Sequence, residues 1–203
     1  DYTTSMANSL RQIIAASISR FKKDTKSARF VDKSQVFTVK VSLIEALLKE
    51  TNPHFVLITR NPYVSCYRAA TGGTADMRRY EDSISFSKRF STCIEHWKNS
   101  VSSALEDSEE VRHFKQMKFE DFLANTEDKV RELSDFLGLE YTDHMIPSKD
   151  DKIPLGTRFN NRWYPIRGDV NEKYFREMEE KHVQKVHSSL SELAKKVGYS
   201  KPS

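Results

Sequence analysis

Apolar residues follow two rhythms along this chain. Met6, Leu10, Ile13, Ile14, Ile18 and Phe21 recur every three to four positions, predicting an amphipathic helix over roughly residues 6–22. A polar cluster at 22–27 ends it, and the run Ala28-Arg-Phe-Val-Asp32 predicts a short strand with Lys33 and Ser34 at its carboxyl end. Leu43, Ile44, Leu47 and Leu48 then predict a helix that Asn52-Pro53 closes. Phe55-Val-Leu-Ile58 is an unbroken apolar run, as expected of a strand at 54–59 buried on both faces of a parallel sheet. Strand, helix and strand make a βαβ unit whose two strands lie parallel, so Asp32-Lys33-Ser34 and Arg60-Asn61-Pro62 are expected to converge on one crevice.

The helical rhythm resumes at once. Asn61 is a preferred N-cap, and Pro62 fits the first helical position, where its missing N–H has no partner to lose. Thr71-Gly-Gly-Thr74 predicts a loop, a helix connection or a substrate-side segment; it is no phosphate loop, because no Gly-Lys-Ser/Thr follows. Phe90, Ile94, Trp97, Val101 and Leu105 predict a long helix with Trp97 as its core anchor. Residues 112–119 predict a strand with Met117 and Phe119 on one face. Asn125 or Thr126 caps the next helix, Glu127 and Asp128 favour its first turn, Val130, Leu133, Phe136 and Leu137 form its buried stripe, and Gly138 marks its end. From 143 to 168 the rhythm dissolves, with Pro147, Pro154, Gly156, Pro165 and Gly168. That loop carries Arg158, Arg162, Trp163, Tyr164 and Arg167, and its basic and aromatic content suits function as well as plain surface. Asn171 then caps one final helix that ends at Gly198.

Alternating strands and helices in 203 residues indicate one α/β domain with a substantial core. The net charge of +4 is spread among acids along the chain, which favours a small anionic ligand over a nucleic-acid groove. No apolar run approaches the length of a membrane span, and no signal peptide is visible, although the sequence opens on Asp1. Cys66 and Cys93 fall in predicted helices without metal-like spacing, as expected of packed free thiols, with a disulfide as the minor alternative.

The chemistry concentrates where the 54–59 strand ends. Arg60 there, with Ser65 and Arg68 on the first turns of the following helix, suits a phosphate-type anion, since open α/β sheets bind ligands at the carboxyl ends of their strands. An arginine that only caps or salt-bridges a strand end fits the same local sequence. The six histidines show no metal-like or triad-like pairing, and no metal is expected.

Four segments in order resemble the sulfotransferase family. They are Val31-Asp32-Lys33-Ser34; residues 55–68; Lys118-Phe-Glu-Asp-Phe122 with Phe136-Leu-Gly-Leu139; and Arg162-Trp-Tyr-Pro165 with the closing Leu193 to Tyr199 and its Gly-Tyr end. The first is similar to the Glu/Asp-Lys-Ser/Thr segment of the glycosaminoglycan and tyrosylprotein branch. The resemblance implies a P-loop-NTPase-like fold with a central parallel sheet flanked by helices. It also implies transfer of a sulfonate group from 3′-phosphoadenosine 5′-phosphosulfate (PAPS) to an acceptor hydroxyl or amine, leaving adenosine 3′,5′-bisphosphate (PAP). On that basis Arg60 takes the place of the 3′-phosphate arginine, and Arg68 stands where the family usually has serine, with Ser65 as an alternative hydroxyl. Lys33 corresponds to a lysine near the transferring group, and Asp32 to a catalytic glutamate. Arg158, Arg162 and Trp163 match the late cofactor loop. The family's opening strand and phosphosulfate loop have no counterpart before Met6, so the chain looks like a member without that segment. A non-catalytic nucleotide-binding or regulatory domain and a nucleotide kinase-like protein are the alternatives. The acceptor class and oligomeric state are open, no nucleic acid is implied, and the expected compartment is cytoplasmic, with a secretory lumen as the alternative.

Overall fold

The computed structural model describes residues 2–21, 28–80, 82–148, 151, 153–154, 163–164 and 168–202. They form a mixed α/β fold with a parallel sheet flanked by helices. Two compact units divide it, residues 1–57 with 99–114 and residues 58–98 with 115–203. Strands β1 (Phe55–Thr59) and β2 (Phe114–Lys118) and helix α5 (Phe86–Asp107) contribute residues to both.

β1 and β2 are neighbours in a two-stranded sheet. The Phe55 amide donates to the His113 carbonyl, and the Thr59 hydroxyl reaches the Met117 carbonyl at 3.5 Å. Both pairs share the same offset in chain number, the register of parallel strands. A parallel pair needs a long crossover, and residues 60–113, with α5 among them, supply it.

In the first unit, helix α1 (Tyr2–Phe21) packs on α2 (Val41–Leu48). Asp107 accepts the Ser42 amide at 3.0 Å, satisfying an N–H that the start of α2 leaves without a helical partner. Asn52, in the left-handed region at φ 53°, bonds two imidazoles: His54 Nδ1 at its carbonyl and His113 Nε2 at its side-chain oxygen, both at 3.0 Å. The rings stack with centroids 4.2 Å apart just before β1 and β2.

The expected strand at 28–32 is absent: residues 28–34 carry no regular secondary structure. Phe30 and Val31 are 46% and 86% exposed, so this stretch has no burial to offset ordering it, and a lone extended segment leaves its backbone groups to water. The βαβ geometry that was to bring Asp32 and Lys33 to the Arg60 edge therefore falls with it.

The second unit holds the larger core. Helix α3 (Pro62–Arg68) follows the β1 turn, and its Tyr63, Cys66 and the following Ala70 pack with Phe90, Cys93 and Ile94 of α5. Met178, Val183, Val186 and Leu190 close the cluster, mostly from helix α9 (Glu180–Lys196). Both cysteines are buried free thiols, and burial pushes the Cys66 thiol well above its ordinary range.

After α3 the backbone runs through Ala69–Gly73 with a kink at Thr71 and Gly72, the latter in the left-handed region at φ 76°, and the Thr74 hydroxyl caps the short helix α4 (Ala75–Arg78). Gly73 is obligatory there. A Cβ would stand 2.4 Å from the Arg68 carbonyl oxygen and 2.6 Å from its Cγ. The buried Arg89 guanidinium holds the stretch from below, donating to the carbonyls of Ala70, Tyr80 and Ile84.

Three further boundaries differ from expectation. β2 stops at Lys118, and Phe119 opens a short helix, α6 (Phe119–Ala124), before α7 (Thr126–Leu137) and its left-handed Gly138 cap. The 143–168 loop includes a small antiparallel pair, β3 (Ile153–Pro154) with β4 (Trp163–Tyr164). The last helix is two: α8 (Glu172–Glu177) and α9, broken at Met178 and Glu179. Met178 turns into the core, and the Tyr67 hydroxyl takes the Glu177 carbonyl at 3.1 Å, so tertiary contacts replace the helical bonds lost.

Candidate functional site

The end of β1 behaves as its residue types dictate. Asn61 caps α3, its side-chain oxygen accepting the amides of Tyr63 at 3.0 Å and Val64 at 3.3 Å, with Pro62 at the first helical position. These two amides are therefore already matched, and an anion at this turn would rely on side-chain charge.

Arg60 supplies that charge from a half-buried position. Its Nε and Nη2 donate to the Asn171 side-chain oxygen at 3.0 and 2.6 Å, and Nη2 also reaches the Val170 carbonyl at 3.2 Å. Its guanidinium lies 5.4 Å from the Phe119 ring centroid, within cation–π range. Its own carbonyl receives the Trp97 indole N–H at 3.4 Å and faces the Ser65 hydroxyl at 3.5 Å. Trp97 is thus a core residue with a polar handle on the site's backbone.

Beneath Arg60 lies a polar brace that sequence reading did not single out. Glu120, second residue of α6, accepts the Asn61 amide at 2.9 Å and the Asn171 side-chain N–H at 2.7 Å on one oxygen, and the Tyr199 hydroxyl at 2.8 Å on the other. The Tyr199 oxygen is also 3.0 Å from the Thr59 carbonyl. Tyr199 gets there because Gly198, at φ 83°, ends α9 in a Schellman turn: the Tyr199 amide returns to the Ala194 carbonyl and the Gly198 amide to Lys195. Burial pushes the Tyr199 phenol far above its ordinary range, so it acts as a neutral donor.

Arg68 completes the group. Burial first, and the nearby Arg68 charge second, push the Arg60 guanidinium down from its ordinary value, while Glu120 opposes them. An arginine stays ionised through such a shift. Among the described residues Arg60 and Arg68 have no ion-pair partner, and Arg68 has no hydrogen-bond acceptor. Two neighbouring guanidiniums, one aimed by neutral oxygens and one unmatched, form a positive pair suited to a doubly charged anion.

The other expected residues are distributed as follows. Asp32 and Lys33 are exposed in the irregular stretch of the first unit. Trp163 lies on β4, its backbone paired with Pro154. Arg158 and Arg162 lie outside the described residues. The structure thus brings Arg60, Ser65 and Arg68 together, and adds Asn171, Glu120, Tyr199 and Trp97 around them. Glu120 and Tyr199 sit in segments that carried the family resemblance; Asn171 read only as a helix cap. Among the described residues, no three His, Cys, Asp or Glu side chains gather as metal ligands, and no helix is long and apolar enough to cross a membrane.

The model of the sulfotransferase family matches residues 2–143, more than half the chain and including β1, its turn, α3 and Glu120. The chain belongs to the sulfotransferase family. Among solved structures, this sulfotransferase chain is similar to a sulfotransferase domain from the curacin biosynthetic pathway, with a TM-score of 0.56 and 16% identity. The alignment covers 82% of this chain and 63% of that domain, so the sulfotransferase chain spans less than two thirds of its structural relative and shares its fold. No curated protein matches the sequence significantly.

Proposed function

We propose that this chain transfers a sulfonate group from PAPS to an acceptor hydroxyl or amine, and that Arg60 and Arg68 hold the donor's 3′-phosphate. The observation that carries the reading is the guanidinium pair at the β1 turn, where the first charge is fixed by Asn171 and Val170 and left without a carboxylate partner among the described residues. Bound PAPS would supply the sulfonate group. The residues present suit its 3′-phosphate: two cationic forks for a dianion, a hydroxyl at Ser65, and an aromatic wall at Phe119.

Sulfonate transfer, like phosphoryl transfer, is a displacement in which positioning and charge stabilisation do most of the catalytic work. In this reading Arg60, Ser65 and Arg68 anchor the nucleotide, with Arg158, Arg162 and Trp163 of the late loop as further cofactor contacts. The family resemblance alone, without the strand geometry, assigns Lys33 to the charge that grows on the leaving phosphate and Asp32 to the acceptor's proton. The Asp32-Lys33-Ser34 sequence also supports a place beside the glycosaminoglycan and tyrosylprotein enzymes. The two unpaired thiols support a reducing compartment such as the cytoplasm.

Calorimetry with PAP and AMP tests the anchor. Arg60→Ala should weaken PAP by roughly 10- to 100-fold, the worth of a charge-assisted bond, and leave AMP nearly unchanged. Equal losses for both nucleotides would refute the assignment. Transfer of labelled sulfonate to an acceptor panel then distinguishes an enzyme from a binding module, and insensitivity to EDTA sets both apart from a kinase.

A further inference from the structure

We infer that Asn171 is a positioning residue for 3′-phosphate recognition: a neutral amide that aims Arg60 while leaving its positive charge for the ligand. The inference rests on the PAPS reading above and adds a residue outside the segment matched by the family model, which stops at 143.

The chemistry of the neighbours fixes which way the amide faces. Arg60 can only donate, and the Glu120 Oε1 that already receives the Asn61 backbone N–H acts as an acceptor. Asn171 must therefore turn its oxygen to the guanidinium and its NH2 to Glu120, and this is the arrangement observed, at 2.6 and 3.0 Å on one side and 2.7 Å on the other. Asn171 is buried, 8% exposed as a residue, so neither contact is exchanged freely for water. Glu120 is in turn held by the Asn61 amide and the Tyr199 hydroxyl. The relay from Tyr199 through Glu120 and Asn171 to Arg60 thus places a carboxyl group one residue away from the arginine and interposes an amide between them.

Aspartate at 171 would be nearly the same size with the opposite consequence. It would pair directly with Arg60, cancelling the charge offered to an anion, and would set two carboxylate oxygens against each other where Asn171 now bonds Glu120. Alanine would remove the aim without adding charge. A purely structural role predicts that alanine, which strands both neighbours, does at least as much harm as aspartate; a role in presenting charge predicts the reverse for the phosphate and no effect on a nucleotide lacking it.

The experiment is calorimetric titration of wild type, Asn171→Asp and Asn171→Ala with PAP and AMP, beside thermal unfolding of each. The preference for PAP over AMP should fall by about tenfold or more in Asn171→Asp and by about threefold in Asn171→Ala, each within the range of one charge-assisted contact, with AMP affinity held. If Asn171→Asp does not fold, Asn171→Ala carries the test alone. An unchanged preference in the folded variants, or parallel losses for PAP and AMP, would overturn the inference while leaving the PAPS reading intact. A wild type that shows no preference for PAP would instead sink that reading, and this one with it.

Discussion

Removing the Glu120 carboxylate should loosen the turn that carries Arg60, and the cost follows from what each of its three donors does next. In Glu120→Ala the Asn171 amide is left buried without an acceptor, at about 1–3 kcal/mol. The half-buried Asn61 amide can recruit water and loses about 0.5–1 kcal/mol. Tyr199 turns its proton to the Thr59 carbonyl, already 3.0 Å away, at little cost. The sum is about 1.5–4 kcal/mol. Glu120→Gln keeps an acceptor oxygen for Asn61 and Asn171 and points its NH2 at a Tyr199 oxygen that can accept, so it should cost less than about 1 kcal/mol. Urea unfolding of the three proteins, with the dependence on denaturant compared to confirm one transition, measures both values. Equal losses in the two variants, or a loss below about 1 kcal/mol in Glu120→Ala, would refute the brace.

Two further outcomes follow from the second unit. His182 sits among Tyr67, Phe86 and Phe90 with centroids 5.3–5.5 Å away, and its Nδ1 is buried without a hydrogen-bond partner among the described residues. Burial lowers its pKa below the ordinary 6.5; Glu179 opposes this, and Lys181 and Lys185 reinforce it. The unfolded chain therefore takes the proton first, so stability is whole above pH 6.5 and declines as pH falls below it. Wild type should lose more unfolding temperature between pH 7.5 and 5.5 than His182→Phe does, and identical slopes would contradict the assignment. Gly73→Ala should destabilise by about 1–3 kcal/mol through its clash with the Arg68 backbone, read by thermal unfolding; no change would mean that the last turn of α3 yields freely.

Local chemistry made the heart of the site legible before any coordinates. Asn61 and Pro62 specify a helix start that needs no distant partner, and Phe55 to Ile58 has the composition of an inner strand. Gly138 likewise ends α7 as its type demands. The misses are long-range. The break at Met178 follows from a core pocket and the Tyr67 hydroxyl, neither visible in the residues around it. Phe119 continues the apolar alternation of β2, yet opens a helix whose Glu120 reaches Asn61, Asn171 and Tyr199. Residues 28–32 have the composition of a strand without the burial that would make them one. Asn171 reads as a cap from its neighbours in sequence; its bonds to Arg60 span 111 positions.

Arg89 grips Ala70, Tyr80 and Ile84 by their carbonyl oxygens, atoms that every amino acid carries. The fastening is thus indifferent to what the intervening side chains are. Gly72, Gly73 and the Thr74 cap apart, positions between those anchor points can be rewritten, by evolution or by an engineer seeking a new acceptor, while the path of the backbone beside Arg68 stays put.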